Sequence, residues 1–210
     1  ITNPLFAHGD EWGNYGITYN LSRGLPVVND EYGNYIGTTS WRYGTTLTRD
    51  EHRRAAWGIA VAGGYGSTGD ARAFADGRLA YFTADWKDEV EYEDVQRLVD
   101  FWTSRGIEYW KMASHNELAL SGARVYVLAE PGRQYVIYAA QGGTFSVDLD
   151  PGTYAARRYD PGTGDDVALG DTAGGGPVSF TLPGSSDGVV YLMSAAQFLA
   201  GDGPKEDRHE

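Results

Sequence analysis

Short apolar runs alternate with amphipathic stretches through the first half of the chain, up to about Tyr109. The run from Leu25 to Glu31, LPVVNDE, reads as a buried strand that ends in polar residues. Residues 48–64 read as a helix that runs into a glycine-rich strand or loop. Strand and helix in alternation are the grammar of an α/β fold. Thr48, followed three residues later by Glu51, forms a capping box in which each side chain satisfies an orphan backbone N–H, so the spacing predicts a helix starting near Arg49. A second helix is predicted from about Tyr92 to Ser104. There Val95, Leu98, Val99 and Trp102 recur at helical spacing and would face a core, with Gly106 placed to end the helix.

Beyond Trp110 the period changes. ARVYVLA, RQYVIYAA, TFSVDL, TYAARRY, VSFTL and GVVYLMS are short β-branched and aromatic runs. They are separated by Pro131-Gly132, Gly142-Gly143, Pro151-Gly152, Pro161-Gly162 and Pro183-Gly184. A preset φ at each proline and a permitted positive φ at the glycine after it predict type II turns. Regular short strands of this kind predict an antiparallel β-sandwich. The expected fold class is therefore α/β plus all-β, divided near residue 109, with a flexible tail over residues 201–210. The first half holds too few strands to close a barrel or to bury both faces of a doubly wound sheet, which leads us to expect further polypeptide upstream.

Charge and composition narrow the function. The 210 residues include 29 Asp and Glu against 17 Lys and Arg, for a net charge of -12. The excess is spread evenly, with 10 basic against 16 acidic residues up to Tyr109 and 7 against 13 after it. A general solvated acidic surface of this kind would repel a phosphate backbone, which argues against nucleic acid and anionic membranes as partners. No apolar run approaches the roughly 20 residues of a membrane span. The chain has no cysteine, which removes disulfides, thiolate zinc sites and thiol catalysis. Its start at Ile1, with no basic or apolar leader segment, reads as an internal or processed one.

Candidate chemistry concentrates in the first half. LPVVNDEYG places Asn29, Asp30 and Glu31 at the carboxyl end of a strand, where α/β sheets build active sites. Strand alternation sets Asn29 and Glu31 on one face and Asp30 on the other, so one acid would point into a site, and Glu31 is the candidate. The plainer alternative is that these acids cap the next helix or sit in a solvated loop. GGYGSTGD lacks the lysine of a phosphate-cradling loop. His8, Asp10 and Glu11 match no established ligand spacing, so no metal site is expected. No G-x-S-x-G elbow occurs. No cofactor is expected.

VVNDEYG, then EHRRAAWGIAVAGGYGSTGD, the DFW of residues 100–102 and DPGTG at 160–164 form an ordered series. From about Pro4 to Ser194 this series resembles the carboxyl-terminal part of the apiosidase-like glycoside hydrolases. That family has a (β/α)8 barrel of the retaining glycosidase clan, followed by a β-sandwich called its collagen-binding domain. The resemblance implies that PLFAHG is the sixth barrel strand, LPVVNDE the seventh and the segment near residues 59–66 the eighth, with the 92–104 helix closing the ring. It implies Glu31 as the nucleophile. It places the acid/base residue on a fourth strand that this chain does not contain, so these residues alone would be inactive unless a second chain supplied the front of the barrel. Gly162 stands where the family's D-P-R-T-G turn has Arg, and Asp160 reads as turn-forming.

Around Glu31 the substrate-contact candidates are His8, Asn29, Tyr32, Trp41, Tyr65 and Asp70, since sugars offer hydroxyls to polar groups and C–H faces to flat rings. Trp12, Trp41 and Trp86 lie in stretches read as irregular, whereas Trp57 and Trp102 read as helix packing. The expectation is a secreted or envelope-associated bacterial glycosidase acting on a plant or microbial polysaccharide. The alternative is a non-catalytic β-sandwich module for carbohydrate or protein adhesion that carries a barrel remnant. A sandwich with only a packing role is a third possibility.

Overall fold

A computed structural model describes residues 10–29, 49–66, 92–184 and 186–194, with no side-chain description for residues 10–12 and 92. Three helices, α1 (Asp10–Leu21), α2 (Arg49–Ala60) and α3 (Tyr92–Ser104), accompany a parallel strand pair, β1 (Val28–Asn29) with β2 (Tyr65–Gly66). Nine further strands follow: β3 (Ala113–Ser114), β4 (Ala119–Ser121), β5 (Val125–Glu130), β6 (Gln134–Ala139), β7 (Gly143–Leu149), β8 (Thr153–Tyr159), β9 (Asp166–Ala173), β10 (Gly176–Leu182) and β11 (Gly188–Ser194). Helix α2 begins at Arg49 and helix α3 spans Tyr92–Ser104, as predicted, while α2 ends at Ala60, before the glycine pair. Helix α1 contains Trp12, which corrects the irregular reading of that stretch. Its Gly13, Gly16 and Thr18 are poor helix formers, so propensity hides it.

The later strands form two antiparallel sheets, ordered β3-β5-β6-β11-β8-β9 and β10-β7-β4. One face of the six-stranded sheet supplies Val127, Tyr135, Ile137, Tyr154, Val190 and Leu192 to a core shared with Phe145, Val147, Leu149, Phe180 and Leu182 of the smaller sheet. Its opposite face carries Tyr126, Leu128, Val136, Tyr138, Tyr159, Val189 and Tyr191, which pack on Trp57 and Val61 at α2 and Phe101 of α3. The larger sheet is thus a middle layer. Strands covered on both faces read as continuous apolar runs instead of alternating ones, which is the pattern of RQYVIYAA and GVVYLMS. The same cluster carries apolar contact from α2 and α3 across residue 109 to the sheet.

The stripe on α3 differs from the predicted one. Val99 is 48% exposed, while Phe101 is fully buried, and Leu98 and Trp102 pack beside it. Asp94 also lies inward, 3% exposed, because arginines satisfy its charge. A reading of apolar residues alone cannot see that position. The turns differ as well. Gly132 and Gly184 adopt positive φ as the type II reading requires, but Gly152 and Gly162 do not. In the turn after Pro161 the positive φ falls on Gly164, and Asp160 Oδ1 accepts from the N–H groups of Gly162 (2.8 Å) and Thr163 (3.1 Å). Asp160 therefore builds its turn through an Asx-type cap. Strand β9, absent from the predicted strands, is an edge strand with almost every side chain exposed, so no buried alternation marks it.

Candidate functional site

The parallel pair is joined through the segment that contains α2. Val28 lies opposite Tyr65 and Asn29 opposite Gly66, and the Tyr65 N–H donates to the Val27 carbonyl at 3.0 Å. Asn29, the last described residue of β1, is 7% exposed, and Val28 is 55% exposed. Val27 packs against the cluster of Ile17, Ala55, Ala56, Ile59 and Ala62 that joins α1 to α2. Two-residue alternation therefore puts Asn29 on the helix side with Val27, and Val28 on the open side.

Of the expected site residues, Asn29 and Tyr65 are described, at the ends of neighbouring parallel strands, with Tyr65 51% exposed. Glu31, His8, Tyr32, Trp41 and Asp70 lie outside the described residues, as do the tail at 201–210 and PLFAHG. Neither β1 nor β2 contributes a carboxylate among the described residues. Among those residues there is also no group of three or more His, Asp or Glu that could hold a metal, and no helix long and apolar enough to cross a membrane.

Sequence reasoning did not find the polar cluster that anchors this pair to the larger sheet. Arg53 of α2 donates from Nη2 to Asp187 Oδ1 at 2.6 Å and lies 3.0 Å from Asp50 and 3.9 Å from Asp94. The Tyr138 hydroxyl donates to Asp187 Oδ2 at 3.1 Å. Burial opposes the Arg53 charge, yet the hydrogen bond and charge of Asp187, with Asp50 and Asp94, hold its pKa above the ordinary value. Burial, then the neighbouring Asp187 carboxylate, pushes the Tyr138 hydroxyl pKa well up. Asp94 accepts two bonds from Arg49, at 2.8 and 2.9 Å, and one from Arg97 at 2.9 Å. Both buried aspartates are committed to guanidinium groups, which suits them to structure and not to proton transfer. The sequence signal was two adjacent arginines beside the apolar residues of the α2 helix.

A second polar chain runs from α1 to the sheet. Asn14 Nδ2 donates to the Gly58 carbonyl (3.0 Å), Asn116 Nδ2 donates to Asn14 Oδ1 (2.8 Å), and the Val127 N–H donates to Asn116 Oδ1 (2.9 Å). It fixes α1 to α2 and both to β5. The helices that frame β1 and β2 are therefore held to the antiparallel layers by directional bonds as well as by apolar contact.

No protein-family model matches the sequence, and no curated protein does. Solved structures do share the fold. One, described as a glycoside hydrolase, superimposes with a TM-score of 0.67 at 15% identity, over 88% of this chain and 47% of that one. Another, a glycoside hydrolase family 5 protein from Bacteroides vulgatus, gives 0.65 at 18% identity, over 88% and 46%. The chain thus spans about half the length of the solved structures it matches. At these identities the likeness is one of fold.

Proposed function

We propose that the protein works as part of a retaining glycoside hydrolase, with Glu31 as the nucleophile. In this reading residues 1–109 belong to the last strands and helices of a (β/α)8 barrel, and residues 110–200 to a β-sandwich beside it. The observation that carries the reading is the fold likeness to glycoside hydrolases over 88% of the chain. The parallel β1-β2 pair, bridged through α2, supports it locally, because parallel pairs of this kind need a crossover and characterise β/α architectures. The substrate is a polysaccharide, which implies work at or outside the cell envelope.

Retention of configuration requires two carboxyl groups about 5 to 5.5 Å apart, one attacking the anomeric carbon while the other protonates the leaving oxygen. Glu31 supplies the first. Its attack forms a covalent glycosyl ester, and the second acid, acting then as a base, activates the water that releases it. Asn29 and Tyr65 hold sugar hydroxyls and ring faces at the strand ends, with His8, Tyr32, Trp41 and Asp70 as further contacts. The second carboxyl group belongs to polypeptide outside these 210 residues.

The test compares Glu31→Gln and Asp30→Asn in the complete natural polypeptide. An activated 2-deoxy-2-fluoro glycoside serves to trap the ester for peptide mass mapping. Glu31→Gln is expected to lower turnover by several orders of magnitude with folding intact, and the label is expected on Glu31. A label on Asp30, or unchanged turnover in Glu31→Gln, would remove Glu31 from the role.

A further inference from the structure

Tyr109 and Trp110 open the 3₁₀ turn Tyr109–Lys111 that leads from α3 towards β3. Trp110 is 67% exposed and Tyr109 38% exposed. Their rings stand 5.4 Å apart at 78° to one another, so a flat face meets an upright wall. The corner is firmly mounted. Tyr109 sits edge-on to Trp102 at 6.2 Å, and Trp102 packs on Trp57 and Phe101, both fully buried. An exposed ring at the end of a buried aromatic column loses little conformational entropy on binding.

The rim is polar and balanced. Glu108 Oε1 pairs with Lys111 Nζ at 2.8 Å and Glu108 Oε2 with Arg133 Nη2 at 3.5 Å, while Arg133 also faces Glu130 at 3.5 Å. Two acids and two bases there favour an uncharged ligand, and the chain's net charge of -12 disfavours a polyanion. Two rings of about 150–250 Å² each fall short of the roughly 800 Å² per partner of a stable protein interface. They match the apolar face of a sugar ring, whose hydroxyls the carboxylates and ammonium groups of the rim can bond.

We propose that the Tyr109–Trp110 corner is a binding site for a neutral polysaccharide chain, apart from the strand ends of the candidate active site. Only the ligand's chemical class rests on the glycosidase reading. A sugar ring stacks on Trp110, Tyr109 forms the wall, and Glu108, Lys111 and Arg133 take its hydroxyls. The corner keeps the protein on its polymer between catalytic events.

The test is native gel electrophoresis through soluble neutral polysaccharides, namely a β-glucan, a mannan, a xylan and an arabinan, with polygalacturonate as the anionic comparison. The runs are made in the cold, with Glu31 intact and with Glu31→Gln, so that hydrolysis is limited whichever residue is the nucleophile. At least one neutral polymer should retard the protein. Trp110→Ala should weaken that retardation about tenfold, the scale of one lost ring contact, with Trp110→Phe in between. The thermal midpoint of Trp110→Ala should stay unchanged, and its hydrolysis of a small aryl glycoside should equal that of the parent with Glu31 intact. Retardation undiminished by Tyr109→Ala with Trp110→Ala, retardation by polygalacturonate alone, or no retardation by any polymer would each overturn the site. None of these depends on turnover, so the failure of Glu31 as nucleophile is read separately.

Discussion

Arg53 and Asp187 meet at 2.6 Å with 134 positions of chain between them, and their side chains are 8% and 1% exposed. The bond fastens α2, which lies between the two parallel strands in the chain, to the segment that enters β11 in the middle layer. Removing Asp187 leaves a buried guanidinium short of its main partner and the Tyr138 hydroxyl without its acceptor. Breaking a buried pair from one side costs about 3–5 kcal/mol. Asp50 and Asp94 still face Arg53, so Asp187→Ala is expected near the lower end, about 3 kcal/mol, read as a fall in the urea midpoint at constant slope. The double change Arg53→Met with Asp187→Leu should recover most of that loss. A double variant as unstable as the single one would show that packing, not uncompensated charge, sets the cost.

Asp166 should make the protein acid-sensitive. Its carboxylate accepts from Arg105 Nε at 2.8 Å, Arg157 Nε at 2.7 Å and the Tyr191 hydroxyl at 2.8 Å. Burial works to raise its pKa, but these three bonds together hold it below the ordinary 3.8. A folded-state pKa below the unfolded one contributes stability that is present above the unfolded value and lost as pH falls through the folded value. Wild type should therefore lose stability as pH falls below about 4 more steeply than Asp166→Asn, the two curves converging at the acid end. Parallel curves would assign the acid loss to other carboxylates.

Tyr191 gives the opposite limb. Burial first, then its hydrogen bond to Asp166, pushes its pKa up to about 12. The unfolded chain ionises it near 10, so the stability from keeping it protonated is whole below pH 10 and disappears as pH rises towards 12. Tyr191→Phe cannot ionise, and its stability should decline less between those values. An identical alkaline decline in both proteins would place the effect on Tyr138, Tyr154 or Tyr159, whose pKa values are also raised.

Trp57 is the keystone between helices and sheet. It is fully buried, with Tyr138 stacked at 5.7 Å, Phe101 edge-on at 5.0 Å and Tyr159 at 5.9 Å. Trp57→Ala should cost about 3–5 kcal/mol, the range for truncating a buried aromatic, whereas Trp57→Phe should cost less than half as much. Equal losses in the two variants would mean that the indole shape itself, not its volume, is required.

That contact also marks how far the sequence could be read. Trp57 and Trp102 were legible as packing because helical spacing is a local signal, and α2 and α3 lie where it places them. The layer they pack on was not legible. Apolar runs such as RQYVIYAA show that a strand is buried on both faces, but not which neighbour covers the second face. Val99 and Phe101 exchanged roles for a related reason, since a buried Asp94 shifts the stripe by one position and its partners Arg49 and Arg97 make that possible. At the candidate site, the side of β1 that faces the helices is the Asn29 side, which only the packing of Val27 on α1 and α2 reveals.

Gly122 tests a backbone requirement that no periodicity reveals. It has φ +101°, and a Cβ there would lie 2.6 Å from Phe145 Cβ and 2.9 Å from Val125 Cγ2. Gly143 has a similar left-handed φ, +78°, but a Cβ at that position would meet nothing within 4 Å. Both alanine variants carry backbone strain of about 1–3 kcal/mol, and only Gly122→Ala adds a collision with the shared core, about 1–3 kcal/mol more. Gly122→Ala should therefore be the less stable of the two by at least about 1 kcal/mol in urea unfolding. Phe145→Leu, which removes the ring, should leave the difference nearly unchanged, because the crowded atom is the Cβ that leucine keeps. If Gly122→Ala is no worse than Gly143→Ala, the turn before β5 can shift away from β7, and the close approach of Gly122 to Phe145 is not a constraint on the fold.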